Sequence, residues 1–87
     1  MSETHDIRLK RLRMRSMRRG IKEMDIILAR YADARLAALA PAQVDRYEAL
    51  LSENDQDLYQ WVSGQAAPPA RFADLVADIA RTACNAN

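Results

Sequence analysis

One cysteine, one histidine, two glycines and three prolines in 87 residues leave few of the residue types from which active sites are built. The lone Cys84 has no partner for a disulfide within the chain, which fits a reducing compartment. No base stands near it in sequence, so it reads as an inert thiol close to the end of the last helix. His5 and Cys84 are far apart and show no zinc-ligand spacing. Gly20 and Gly64 are too few and too scattered for a phosphate-cradling loop. Asp55 and Asp57 could form an acid and base pair, but carboxylates at a helix start commonly serve its free amides instead. No apolar run approaches the roughly 18 residues of a membrane span, and no hydrophobic signal core follows the N-terminal charges. These absences argue against an enzyme, a metal protein and a membrane-spanning protein.

What is present is helix-forming. Hydrophobic residues make up 49% of the chain, with abundant Ala, Leu, Arg, Asp and Glu. A chain this short has room for one modest core, so a single domain over 1–87 is expected, with an ordered part at about 6–84 and flexible termini.

The net charge of +1 conceals an asymmetry. Residues 1–22 carry eight basic against two acidic side chains, a net +6, and the remainder carries −5. A basic arm of this kind suits nucleic acid, an anionic membrane surface or an acidic protein partner. Glu3 and Asp6 interrupt the Arg-rich start, and no spacer separates it from the first motif, so the expectation is a soluble bacterial cytoplasmic protein without a mitochondrial presequence.

Periodicity predicts five helices. The first, Ile7 to Met17, sets Ile7, Met14 and Met17 on one side with Leu9 and Leu12 nearly opposite, so its buried face is ambiguous. A central helix from Ile21 carries Met24, Ile27, Leu28, Tyr31, Leu36 and Leu39 at helical spacing and runs to Ala40-Pro41. The third, Ala42 to Glu53, presents Val44, Tyr47, Leu50 and Leu51. Ser52, Asn54 or Asp55 can cap a short fourth helix holding Leu58, Trp61 and Val62, which stops at Gly64. Trp61 is expected in the core. After an extended loop through Pro68-Pro69, the last helix spans Arg71 to Cys84. No strand alternation and no fixed repeat is visible, so the fold class is all-α, a compact five-helix bundle.

One stretch stands out, Arg18-Arg19-Gly20-Ile21-Lys22-Glu23-Met24-Asp25, where the basic first helix meets the central one. Arg19 and Glu23 are four apart and would share a helical face. Glycine beside them weakens a helix by about 1 kcal/mol relative to alanine. It therefore marks either a tight turn or a bare patch where another backbone comes close.

The Arg-Gly-x-x-Glu pattern, here Arg19-Gly20-Ile21-Lys22-Glu23, resembles the signature of the SdhE family of succinate dehydrogenase assembly factors. The resemblance continues through Met24-Asp25-Ile26-Ile27-Leu28, Tyr47-Glu48-Ala49-Leu50-Leu51 and Asp55-Gln56-Asp57-Leu58-Tyr59-Gln60-Trp61-Val62, and covers about residues 6–82. It implies a five-helix bundle that binds the flavoprotein subunit of succinate dehydrogenase, and in bacteria often that of fumarate reductase, and promotes covalent attachment of FAD. The flavoprotein would supply the attacking histidine, and this chain would hold no cofactor stably. The motif assigns Arg19, Gly20 and Glu23 to the partner contact, with Arg19 as a forked donor to the partner and Gly20 allowing close approach. Arg8, Arg11, Arg15 and Arg18 would form a basic rim that steers encounter, and Asp25 joins the candidate site. The alternative is a small nucleic-acid-binding helical module that uses the basic first helix. Five large apolar residues interrupt that helix, and no recognition helix opens with base-reading side chains.

Overall fold

The computed structural model of the chain describes residues 3–84. The expectation of flexible termini falls largely on residues 1–2 and 85–87, which lie outside the described residues. Five α-helices follow one another: α1 His5–Ser16, α2 Lys22–Arg35, α3 Pro41–Leu51, α4 Asp55–Val62 and α5 Ala73–Ile79. Among the described residues there is no strand.

Local chemistry sets most of the boundaries. Thr4 caps α1 by accepting from the Ile7 N–H, so His5 is the first residue of a helix and not part of a frayed end. Helix α2 stops at Arg35, five residues before the expected Ala40. A 3₁₀ turn, Leu36–Ala38, carries the chain on while Leu36 and Leu39 stay buried. Pro41 then opens α3 at its first position, where its missing N–H costs nothing, and the Gln43 side chain accepts from the Ala40 N–H at 2.8 Å. Asn54 caps α4 through the Gln56 N–H, and Gly64 ends that segment at φ 82°. The expected last helix is three pieces: a 3₁₀ turn at Ala70–Phe72, then α5, then a π-helical turn at Ala80–Cys84.

The core gathers Leu12 from α1, Met24, Leu28 and Tyr31 from α2, Val44, Tyr47 and Leu50 from α3, Leu58 from α4, and Phe72 and Ile79 from the C-terminal segment. Tertiary packing resolves the ambiguity of α1. Leu12 and Ser16 face inward, Leu9 packs beside them, and Ile7, Met14 and Met17 face solvent. Ser16 is the polar residue buried in this apolar interior, and its hydroxyl is satisfied twice, donating to the Leu12 carbonyl at 2.8 Å and sharing a 2.6 Å hydrogen bond with the Tyr47 hydroxyl. Burial pushes the Tyr47 phenol up to about 12. The Tyr31 ring lies 5.6 Å from that of Tyr47, and its hydroxyl donates to Asp78 at 2.8 Å, joining α2 to α5.

Trp61 is not in the core as expected. It is half-buried, with its ring 6.1 Å from that of the fully buried Phe72. The short α4 turns Leu58 and Val62 inward, which leaves Trp61 at the margin of the buried stripe.

Ion pairs hold α1 along α2 and α3. Arg8 reaches Asp45 at 2.7 Å and Glu48 at 2.9 Å, Arg11 reaches Glu48 at 3.0 Å and Glu3 at 2.8 Å, and Arg13 meets Asp33 at 2.6 Å. Hydrogen bonding from Arg11, then from Arg8, holds the Glu48 carboxyl below its ordinary range, and Arg11 does the same to Glu3.

Two outcomes follow from this packing. Phe72→Ala will cost about 3–5 kcal/mol by urea unfolding, and Trp61→Ala less than half as much, because only the first empties a closed site. Because the folded state lowers the Glu48 pKa, its pairing contributes fully above the ordinary glutamate pKa and is lost as pH falls through the lowered value. Glu48→Gln will therefore lower the thermal midpoint at neutral pH, and the gap to the unaltered protein will close under acid, as read from melts across the pH series.

Candidate functional site

The connection between α1 and α2 is a turn, and its shape comes from two carboxylates. Asp25, in the first turn of α2, accepts the backbone N–H of Arg19. Asp55, the first residue of α4, accepts the Gly20 N–H through Oδ2 and the Arg19 guanidinium through Oδ1 at 2.7 Å. The same guanidinium donates to the carbonyl oxygens of Leu51 at 2.9 Å and Glu53 at 3.2 Å. Arg19 thus neutralises the negative carbonyl end of α3 and the acidic start of α4 together, closing the α3–α4 junction onto the α1–α2 turn. Its side chain is only 9% exposed, and that of Asp55 16%.

This corrects the role given to Arg19. Its donors are already committed to Asp55 and two carbonyls within the chain, so it is not a free fork aimed at a partner. Nor do Arg19 and Glu23 share a helical face, since α2 begins only at Lys22. Asp25 likewise turns toward the loop it pins. Outward remain Gly20, Glu23 and Arg18, all exposed, and Arg15, half-exposed. Of the expected basic rim, Arg8 and Arg11 are held by the acids of α3 and Glu3, and Arg15 has a 3.3 Å contact with the Ser52 hydroxyl. Arg18 has no side-chain ion pair among the described residues.

Glycine at position 20 has a steric reason and not a conformational one, because its φ is not positive. A Cβ there would lie 3.1 Å from Asp55 Oδ2, tight enough to disturb the carboxylate that seats the turn. Asp55 itself was legible as a possible cap or as half of an acid and base pair with Asp57. Asn54 is the residue that caps, and Asp55 is the anchor of the corner, a part that depends on the Arg19 turn arriving from a distant stretch of chain.

The chemistry of the corner is that of a shaped surface. Among the described residues no group of three His, Cys, Asp or Glu could hold a metal ion, and no buried side-chain nitrogen or oxygen lacks a hydrogen-bond partner. Burial raises the Cys84 thiol pKa, which disfavours the reactive thiolate. No helix is long and apolar enough to cross a membrane among the described residues.

Asp55→Ala will strand the Arg19 guanidinium and cost about 2–4 kcal/mol, somewhat below a fully sealed pair because both partners keep some solvent. In a double-mutant cycle with Arg19→Ala the losses will fall well short of additive, as measured by chemical denaturation.

Comparison with known proteins concerns the chain as a whole. The family model described as "Flavinator of succinate dehydrogenase" matches residues 10–83. A succinate dehydrogenase assembly factor 2, mitochondrial, of Meyerozyma guilliermondii is 41% identical over 61 residues, covering 70% of this chain and 45% of the relative. Its namesake in Scheffersomyces stipitis is 41% identical over 61 residues, covering 70% and 41%. That of Mycosarcoma maydis is 33% identical over 72 residues, covering 83% and 30%. The chain spans less than half the length of these relatives. The expectation of a cytoplasmic protein is corrected by their names, which place the relatives in the mitochondrion. With the motif turn, the helical bundle and a family match that runs from α1 through the last turn, the chain belongs to the family of succinate dehydrogenase flavinators.

Proposed function

We propose that this chain binds the flavoprotein subunit of succinate dehydrogenase and promotes covalent attachment of FAD to it, acting as an assembly factor and not as a catalyst. The observation that carries the reading is the corner at Gly20: an exposed, side-chain-free backbone with exposed Glu23 and Arg18 beside it, held from beneath by Arg19 and Asp55. Gly20 gives a partner backbone close access, while Glu23 and Arg18 offer an acceptor and a donor of opposite charge. Arg19 and Asp25 act as positioning residues, since both spend their polar groups on the turn. Arg15 extends the basic flank.

Such a surface promotes a reaction by spending binding energy on one arrangement of the partner, which requires rigidity more than chemical groups. The flavin belongs to the flavoprotein in this reading, and this chain holds none. The flavoprotein of fumarate reductase is a second partner on the same grounds. The reading of the chain as a nucleic-acid module draws no support from the comparisons, and most of α1's arginines are engaged with acids of their own chain.

Coexpression with the apo flavoprotein, followed by in-gel flavin fluorescence after denaturation, tests the proposal. Covalent flavin will rise above that of the flavoprotein alone. Glu23→Ala will reduce the gain at an unchanged melting temperature, whereas Arg19→Ala will reduce both together. No gain with the unaltered chain, or a full gain with Glu23→Ala and Gly20→Arg combined, would defeat it.

A further inference from the structure

Helix α1 has two apolar faces, and only one is used by the bundle. Leu9 and Leu12 pack inward, while Ile7 is 55% exposed and Met14 and Met17 are each 51% exposed. Among the described residues these three account for most of the exposed large hydrophobic side chains, Ile26 being the other. Their spacing of seven and three residues aligns them on one stripe, with the Lys10 stem between Ile7 and Met14. Beside the stripe, Arg11, Met14, Arg15, Arg18 and Arg19 line a shallow groove of about 290 Å³ that ends at the Gly20 turn.

The charges along this groove are unbalanced for an identifiable reason. Glu3 and Glu48 serve Arg11, Asp45 and Glu48 serve Arg8, Asp33 serves Arg13, and Asp55 serves Arg19. Lys10, Arg15 and Arg18 are left with no carboxylate partner among the described residues. An apolar stripe flanked by unpaired cations fits a segment with an apolar centre and carboxylates along its edge. Two exposed methionines suit such a contact, because their unbranched thioether chains adapt to an apolar neighbour.

We propose that this outer face of α1 is a docking groove for an acidic amphipathic segment of the flavoprotein, adding a second contact to the Gly20 corner. The proposal rests on the reading above for the identity of the partner, and on the stripe and its unpaired charges for the chemistry. Met14→Ser with Met17→Ser will weaken binding of the flavoprotein about tenfold or more at low and high salt alike, with an unchanged melting temperature, as expected for loss of apolar anchors without any change of charge. Met14→Leu with Met17→Leu will retain it. Arg15→Glu with Arg18→Glu will weaken binding at low salt, and the loss will shrink as salt screens the charges. Equal binding by the Met14→Ser, Met17→Ser protein would overturn the groove while leaving the Gly20 reading intact. If the unaltered chain does not bind the flavoprotein at all, that reading fails, and the groove is judged with a synthetic helix bearing leucine on one face and glutamate at its edges. Its binding must shift the ε-methyl signals of Met14 and Met17 and spare buried Met24 in ¹³C NMR. Silence at both methyls, or a response to anionic phospholipid vesicles alone, overturns the proposal.

Discussion

The Arg19–Asp55 contact organises the rest of the molecule, because it sits where two connections meet, the α1–α2 turn and the α3–α4 junction. One guanidinium satisfies a carboxylate at the start of α4, the Leu51 carbonyl at the end of α3 and the Glu53 carbonyl in the connection between them, and the other oxygen of that carboxylate holds the Gly20 amide. The Leu51 and Glu53 carbonyls would otherwise stand without these donors in a partly dry corner. Charge opposes charge there, since the carbonyl end of one helix and the acidic start of the next are bridged by a cation. The same contact leaves a bare backbone facing outward, which is the part another molecule can approach. Stability and the proposed docking therefore draw on one set of atoms, with an arginine and a glycine side by side.

The remainder of the bundle keeps that corner in place. Arg8 and Arg11 fasten α1 to α3, Arg13 fastens it to α2, and the buried Ser16–Tyr47 hydrogen bond fixes the rotation of α1 about its own axis. A polar pair inside an apolar interior tolerates little displacement, because each partner would be left unsatisfied. With α1 so held, its second apolar stripe stays turned to solvent. Half of the basic side chains in the first quarter of the chain, Arg8, Arg11, Arg13 and Arg19, are internal wiring, while Lys10, Arg15, Arg18 and Lys22 lack a carboxylate partner among the described residues.

The membership of the chain in a family of flavinators agrees with this economy of parts. The helper role proposed for it needs a shaped surface, and the described residues offer a corner, a groove and a sealed core. Tyr31 and Tyr47 sit in that core with raised pKa values because burial disfavours their phenolates, and both hydroxyls are bonded within the fold.

Helix number, the approximate positions of the helices, the stop at Gly64 and the apolar stripe of α3 were legible in residue order, because each depends on neighbours within one or two turns. So was the prominence of Arg19-Gly20, a glycine between helices beside an arginine. What residue order could not decide was direction. Whether Ile7, Met14 and Met17 or Leu9 and Leu12 faced inward, whether Trp61 was sealed, and whether Arg19 pointed to a partner or to its own chain all turned on contacts between segments more than thirty residues apart or on how a short helix rotates against its neighbours. Asp55 meets Arg19 across 36 positions, and no local pattern carries that distance. Hydrophobic periodicity specifies that a face exists; only the packing of several such faces against one another chooses which of them is hidden.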